Sequence, residues 1–421
     1  MIPFPPVLFD ALLDAYQKQA EDLVTGHQSG ECEITQLIQE YHPAFRCQSA
    51  ADVQAAPLSL TDAQLTIARF YQFADWQFLT RYVAEVSRER SLVWQFESAV
   101  EAIIGGDIAQ LQRQLRHNPD LVRLRSMRQH GAMLLHYVGA NGVERYRQKT
   151  PDNAVAMAQL LLNTGADIDA LTDIYGQETT LGLVATSVHP LRAGVQTALI
   201  ETLLAHGAAI DGAPNRWPPL MAALANGRLL AAKTLAHHGA HVGNVVAAAG
   251  IGRLDLVKRF FDLTGNLRPL SPDASLWGIP AESKAQLESA FFYACRYGHI
   301  DVADFLLIQG VRPTAHDNAG QTGLHWAVIG GQLRTVNWLL NRHSPLLMIR
   351  NIYGSTALEQ ACWCVVNGDP LIDYLPIIET LLDAGSGINT TLLDWLAGHP
   401  TLSPQTKIHI EAILRQQSEN V

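Results

Sequence analysis

Two short stretches of the 421-residue chain gather the side chains best suited to hold an anion. VERYRQKTPDN (143–153) offers Arg145, Tyr146, Arg147 and Lys149, and SVHPLRAGVQ (187–196) offers His189 and Arg192. A guanidinium presents planar donors that match a carboxylate or phosphate bidentately, and a lysine adds a point charge. Together these residues could hold a small anionic ligand or the acidic side chains of a partner. The competing reading is a pair of solvated loops whose charges pair with nearby acids, which contributes little to stability.

Other arrangements carry less chemistry. Ser187 and His189 lie close in sequence, but no acid is placed to orient the histidine and no G-x-S-x-G elbow occurs. The chain also lacks a P-loop and a G-x-G-x-x-G fingerprint. His237, His238 and His241 belong to one short connector, with no cysteine or carboxylate partners at metal-ligand spacing. Cys362 and Cys364 are one residue apart on an expected helix and diverge by about 200°, so they cannot share an ion. No cofactor, no metal and no catalytic residues are assigned, and an enzyme is not the expected reading.

The elements that must position the loops repeat. A second helix ends in paired apolar residues followed by Gly at LLNTGA (Leu161), LLAHGA (Leu203), LAHHGA (Leu235), FFDLTG (Phe260), LLIQGV (Leu306) and LLDAGS (Leu381), with LLNRHS (Leu339) as a variant. The step from Gly310 to His343 is 33 residues, an ankyrin period. First helices precede these endings, and TGLHWAVIGG carries Thr322, Leu324, His325 and Ala327 in the register of the T-P-L-H-x-A phrase. The chain therefore resembles ankyrin-repeat proteins. The expected fold is all-α: an ankyrin-repeat solenoid of about eight helix-turn-helix units over 96–388, with short hairpin fingers. Insertions are expected near 143–153, 187–196, 264–283 and 367–373. Stacking of pairs would complete a core that no pair buries alone.

The resemblance implies structural hydrogen bonds for His136 and His325, and contact positions at Ile174, Tyr175, Arg296, Tyr297, Asn318, Gln321, Ile352 and Tyr353. LLHYVGANGVERYRQKTPDN (from Leu134) and TTLGLVATSVHPLRAGVQ (from Thr179) also resemble segments of a group of bacterial ankyrin proteins. That likeness implies a bacterial cytosol and names no reaction.

Residues 1–95 do not repeat, yet their pattern is helical. Helices are expected near 7–25 and 33–41, after a Thr61/Gln64 capping box, and after Asp75 with Trp76, Leu79, Tyr82, Val83 and Val86 on one face. Such a segment could cover one end of the array, and SPQTKIHIEAILRQQ within 389–421 the other.

Apolar residues make up 48% and charged residues 17%, with a net charge of −10, which suits a globular chain and disfavours general nucleic-acid binding. The N-terminus MIPFPPVLFD has neither a basic region nor a long apolar run, so a soluble, unexported, cytoplasmic protein without a membrane anchor is expected. Five scattered cysteines fit a reducing compartment. The charge is uneven: eight basic residues face two acids between Leu111 and Lys149, whereas residues 1–66 hold nine acids and two bases. Either these regions pair with each other or the basic one is an exposed anion-binding patch. The expected function is a binding module or scaffold that takes a protein or peptide partner, acidic ones included, on its concave ankyrin surface and the two insertion loops. The alternative is an enzyme or small-molecule sensor acting at those loops.

Overall fold

The Gly that ends a second helix does so for a backbone reason. Gly165, Gly207, Gly239, Gly310 and Gly385 hold φ between 92° and 97°, left-handed values that cost a residue with a Cβ. The next amide then turns back onto the last helical turn: Ala166 N to Leu161 O, Ala208 N to Leu203 O, Ala240 N to Leu235 O, Val311 N to Leu306 O and Ser386 N to Leu381 O, all within 3.0–3.2 Å. These bonds satisfy carbonyls that a helix end leaves open.

Three endings differ. Asn118 and His343 adopt φ −141° and −146°, and each leads into a 3-10 turn that begins with or contains Pro, Pro119–Arg123 and Ser344–Met348. The expected ending at Phe260 is corrected. The helix stops at Arg259, and Gly265 belongs to a separate turn in which Asp262 Oδ1 accepts from Thr264 N (2.8 Å) and Asn266 N (3.0 Å).

In this computed structural model, residues 4–269, 279–369 and 371–387 are described, with single positions at 392, 395, 399, 407, 408 and 412. Among them the regular structure is helical, apart from isolated bridges such as Thr172 with Glu178 and His316 with Thr322. No helix among the described residues is long and apolar enough to cross a membrane. The helix expected from Ser403 lies outside the described residues apart from single positions.

Residues 1–223 form one compact unit. It opens with α1 (Leu13–Gln28), α2 (Cys32–Tyr41), α3 (Ala50–Ala55), α4 (Leu60–Phe70) and α5 (Trp76–Val86). The first begins at Leu13 rather than near residue 7, because Leu12 is extended. The capping box of α4 is Ser59 with Asp62, each side chain accepting the other's backbone N–H, so the Thr61/Gln64 box is corrected. Asp75 caps α5 as expected, accepting from Phe78 N at 3.0 Å. Tyr16, Leu23, Ile38, Ile67, Phe70, Tyr71, Phe73 and Tyr82 are among the residues forming the core of these helices, and Met127 and Tyr146 from later in the chain pack against it.

The same unit continues with helix pairs: α6 (Leu92–Gly105) with α7 (Ile108–His117), a 3-10 helix (Leu134–Gly139) with α8 (Ala154–Asn163), then α9 (Thr180–Thr186) with α11 (Gln196–Ala205). The short α10 (His189–Arg192) occupies the insertion between the last two, and α12 (Pro219–Ala225) follows.

Residues 224–421 form the second unit. It contains α13 (Leu229–His237) and the pairs α14 (Val245–Gly250) with α15 (Leu254–Arg259), α16 (Ser283–Arg296) with α17 (Ile300–Ile308), α18 (Gly323–Ile329) with α19 (Leu333–Arg342), and α20 (Ala357–Asn367) with α21 (Leu375–Asp383). Cys295, Cys362 and Cys364 are buried in it, and burial pushes the Cys364 thiol up to about 11 and the Cys362 thiol up to about 12.

Candidate functional site

Hairpin fingers link the helix pairs, and histidines fix their bases. In the first unit His136 Nδ1 accepts from Met133 N (3.0 Å) while Nε2 reaches Ala170 O (2.9 Å). Burial lowers its pKa to about 4, so the ring stays neutral and bridges two loops. In the second unit His325 does the same between Thr322 and Ser355. Neighbouring fingers are stitched together, Asp173 N donating to His130 O at 2.9 Å and Ile352 N to Ala319 O at 2.9 Å.

The finger closed by Thr172 and Glu178 presents Tyr175 at its tip. Tyr175 holds φ 48°, the residue is 73% exposed, and its hydroxyl donates to Asn141 Oδ1 at 3.2 Å. Ile174 beside it is buried. The tip can seat there because residue 142 is Gly, at φ +71°: a Cβ would stand 2.1 Å from Ile174 Cγ2.

Beside this tip lies a cleft of about 800 Å³ within the first unit, inside the size range of ligand sites. Its walls come from four places: the end of α2 and the turn after it (Glu40, Tyr41, Arg46), the end of α4 (Arg69, Gln72), the fingers (Gln129, Asp173, Tyr175) and the 142–148 turn (Arg145, Gln148). Arg145 Nη1 sits 3.0 Å from Glu40 Oε2, and Arg69 Nη1 reaches Gln129 Oε1 at 3.5 Å. Burial and the neighbouring Glu40 push the Tyr41 hydroxyl up to about 12, so it remains a neutral group at neutral pH. The cleft thus combines guanidinium groups, amides and aromatic rings.

Beneath it is a buried charge cluster. Arg128 pairs with Glu97 and with Glu144 (Nε to Oε1, 2.5 Å). Arg147 pairs with Glu97 (2.6 Å) and with Glu101 (3.0 Å). Burial alone would raise the Glu144 carboxyl, but Arg128 and Arg147 hold it well below the usual carboxylate range. The Arg128 guanidinium also lies over the Tyr82 and Phe73 rings, at 4.8 and 5.3 Å.

Several expected site residues are corrected by this geometry. Arg147 is 3% exposed and spends its charge on carboxylates inside the protein. Tyr146 is packed against Phe70 and Tyr71, with ring centroids at 6.0 and 5.4 Å. Arg147 is thus buried and Tyr146 half-buried, so the basic loop is not one exposed anion patch. Of the same loop, Arg145 lines the cleft and Lys149 is exposed. His189 is half-buried at the start of α10 and Arg192 is exposed at its end. The loop holding Arg147 turns toward α6, where Arg147 meets Glu97 and Glu101.

In the second unit, Arg296 donates to Ala225 O (3.1 Å) and lies over the Trp326 ring at 5.2 Å. Tyr297 is buried with its hydroxyl donating to Leu224 O. Both therefore already make contacts within the unit, with Arg296 half-buried. Asn318 is exposed and Gln321 half-buried, while Ile352 and Tyr353 are 67% and 75% exposed. Tyr353 borders a smaller hollow of about 430 Å³ with Arg350, Trp363 and Trp395. Among the described residues, no three His, Cys, Asp or Glu side chains are grouped to hold a metal.

Sequence reasoning missed Tyr41, Arg46, Arg69 and Gln72, all from the non-repeating segment. Arg46 left one signal: it is one of only two basic residues among the first 66. A family model described as ankyrin repeats (three copies) matches residues 291–392. Ankyrin repeats therefore occupy the C-terminal part of the chain, where α18 supplies the Thr322/His325 phrase.

Proposed function

We propose that this protein is a non-enzymatic binding module that recognises a protein or peptide partner at the cleft of its first unit. Ankyrin repeats generally mediate protein–protein interaction, but function on a shared scaffold has to be argued from the site. The observation that carries the reading is the convergence of Tyr41, Arg46, Arg69, Arg145 and Tyr175 on one open cleft. Tyr and Arg are the side chains that dominate interface hot spots. Exposed Tyr353 and Ile352 extend the reading to the fingers of the second unit as a separate contact surface.

A photo-reactive phenylalanine analogue placed at Tyr175 or Arg46 tests this in the native host. The same host protein should be captured from both positions and not from Leu263, an exposed residue of the second unit. Capture of unrelated proteins from the two cleft positions, or the same set from all three, overturns the reading.

A further inference from the structure

We propose that the cleft selects a peptide whose acidic side chains are spaced between apolar or aromatic ones, with Arg46 and Arg69 taking carboxylates and Arg145 exchanging Glu40 for the ligand. This rests on the binding reading above and adds the chemistry of the partner.

The arginines differ in what they already hold. Arg46 is exposed in the cleft wall and has no ion-pair partner among the described residues. Arg69 makes one long hydrogen bond, 3.5 Å to Gln129, and its Nε is buried with no acceptor. The buried Nε is out of a ligand's reach, but a guanidinium head held by one long bond gains charge-assisted hydrogen bonds when a carboxylate arrives at its cleft side. Arg145 is occupied, but by a pair that an acidic ligand can copy. Its Nη1 lies 3.0 and 3.4 Å from the two carboxylate oxygens of Glu40, and both side chains are about half exposed. Such a pair contributes little and exchanges readily. Glu40 therefore stands where a ligand carboxylate would stand.

The remaining lining separates a peptide from a bare polyanion. Glu40 and Asp173 also face the cleft, so a chain charged at every unit meets repulsion as well as attraction. A peptide with spaced acids can place apolar or aromatic residues there instead. Tyr41 and Tyr175 offer ring faces for those residues, and Gln72 and Gln148 carry amides able to bond a main chain.

The test uses the full chain and a fluorescein-labelled peptide alternating glutamate with leucine and tyrosine, its glutamine analogue, and tripolyphosphate as competitor. Fluorescence anisotropy should give the glutamate peptide an affinity at least about tenfold above the glutamine analogue, falling as salt rises. Arg46→Glu with Arg69→Gln should abolish most of that preference, and Arg46→Ala alone should reduce it, with melting temperature unchanged because Arg46 is exposed. Glu40→Gln should tighten binding several-fold, since the internal competitor is gone. Equal binding of both peptides overturns the proposal, as does displacement by tripolyphosphate at equal charge concentration. A Glu40→Gln variant that binds no tighter removes the exchange at Arg145. If photo-capture from Tyr175 persists while the glutamate peptide fails, the binding module stands and the acidic specificity falls; loss of both removes both.

Discussion

Arg147 Nη1 lies 2.6 Å from Glu97 Oε2 with both side chains shut away from solvent. Around them Arg128 and Glu144 complete a buried set of two positive and two negative groups, with the partly exposed Glu101 at its edge. Removing one member leaves a charge inside the protein without its partner. Arg147→Ala should therefore cost about 3–5 kcal/mol, read as a shift of the urea midpoint of the first unit. A loss below about 1 kcal/mol, the size of an exposed pair, would show that water reaches the cluster.

That cluster also marks where sequence reading ends. RYRQK reads as a solvated basic loop, because nothing local says that Arg147 will turn back onto a glutamate 50 residues earlier. The helix endings were legible because their cause is local: a left-handed Gly and a neighbouring amide returning to the last turn. His136 and His325 were legible for the same reason, each accepting from a backbone N–H three residues before it. FFDLTG misled because Gly265 also sits at positive φ, but in a turn organised by Asp262. The cleft was half legible. Tyr175 was read from the repeat register and Arg145 from the basic insertion, whereas Arg46 lies in the turn after α2 and Arg69 on α4, whose packing depends on the whole N-terminal core.

Acidification should weaken the protein through His136. Its folded pKa is about 4 against an ordinary value near 6.5, so between those limits the unfolded chain takes up a proton that the folded one refuses. The stability is complete above about pH 6.5 and drains away as pH falls toward 4, by at most about 3 kcal/mol. Urea midpoints across this range should drop in the wild type and drop less in His136→Gln, whatever that variant loses at neutral pH. Parallel slopes for the two proteins would contradict the assignment.

Gly142 positions the tip of the finger closed by Thr172 and Glu178. Gly142→Ala forces a Cβ to 2.1 Å from Ile174 Cγ2 at a backbone φ of +71°, so strain and clash together should cost about 1–3 kcal/mol. Because Ile174 adjoins Tyr175, the tip should shift as well, and photo-capture from position 175 should fall more than capture from position 46. A variant with unchanged melting and equal capture from both would mean that the tip is free to adjust.

The N-terminal helices are built into the first unit by the same residues that close the charge cluster. Tyr82 and Phe73 cover the Arg128 guanidinium, and Met127 and Tyr146 rest on the core of α1 to α5. Deleting residues 1–90 strips both rings from Arg128, bares Tyr146 and removes the Glu40 and Arg69 walls of the cleft. Newly exposed apolar surface of this kind drives association. The truncated chain should aggregate or lose the unfolding transition of the first unit, followed by size-exclusion chromatography and tryptophan fluorescence. If it stays soluble and monomeric with the same melting curve, the N-terminal helices are not needed for the fold of the first unit, and the charge cluster is held without them.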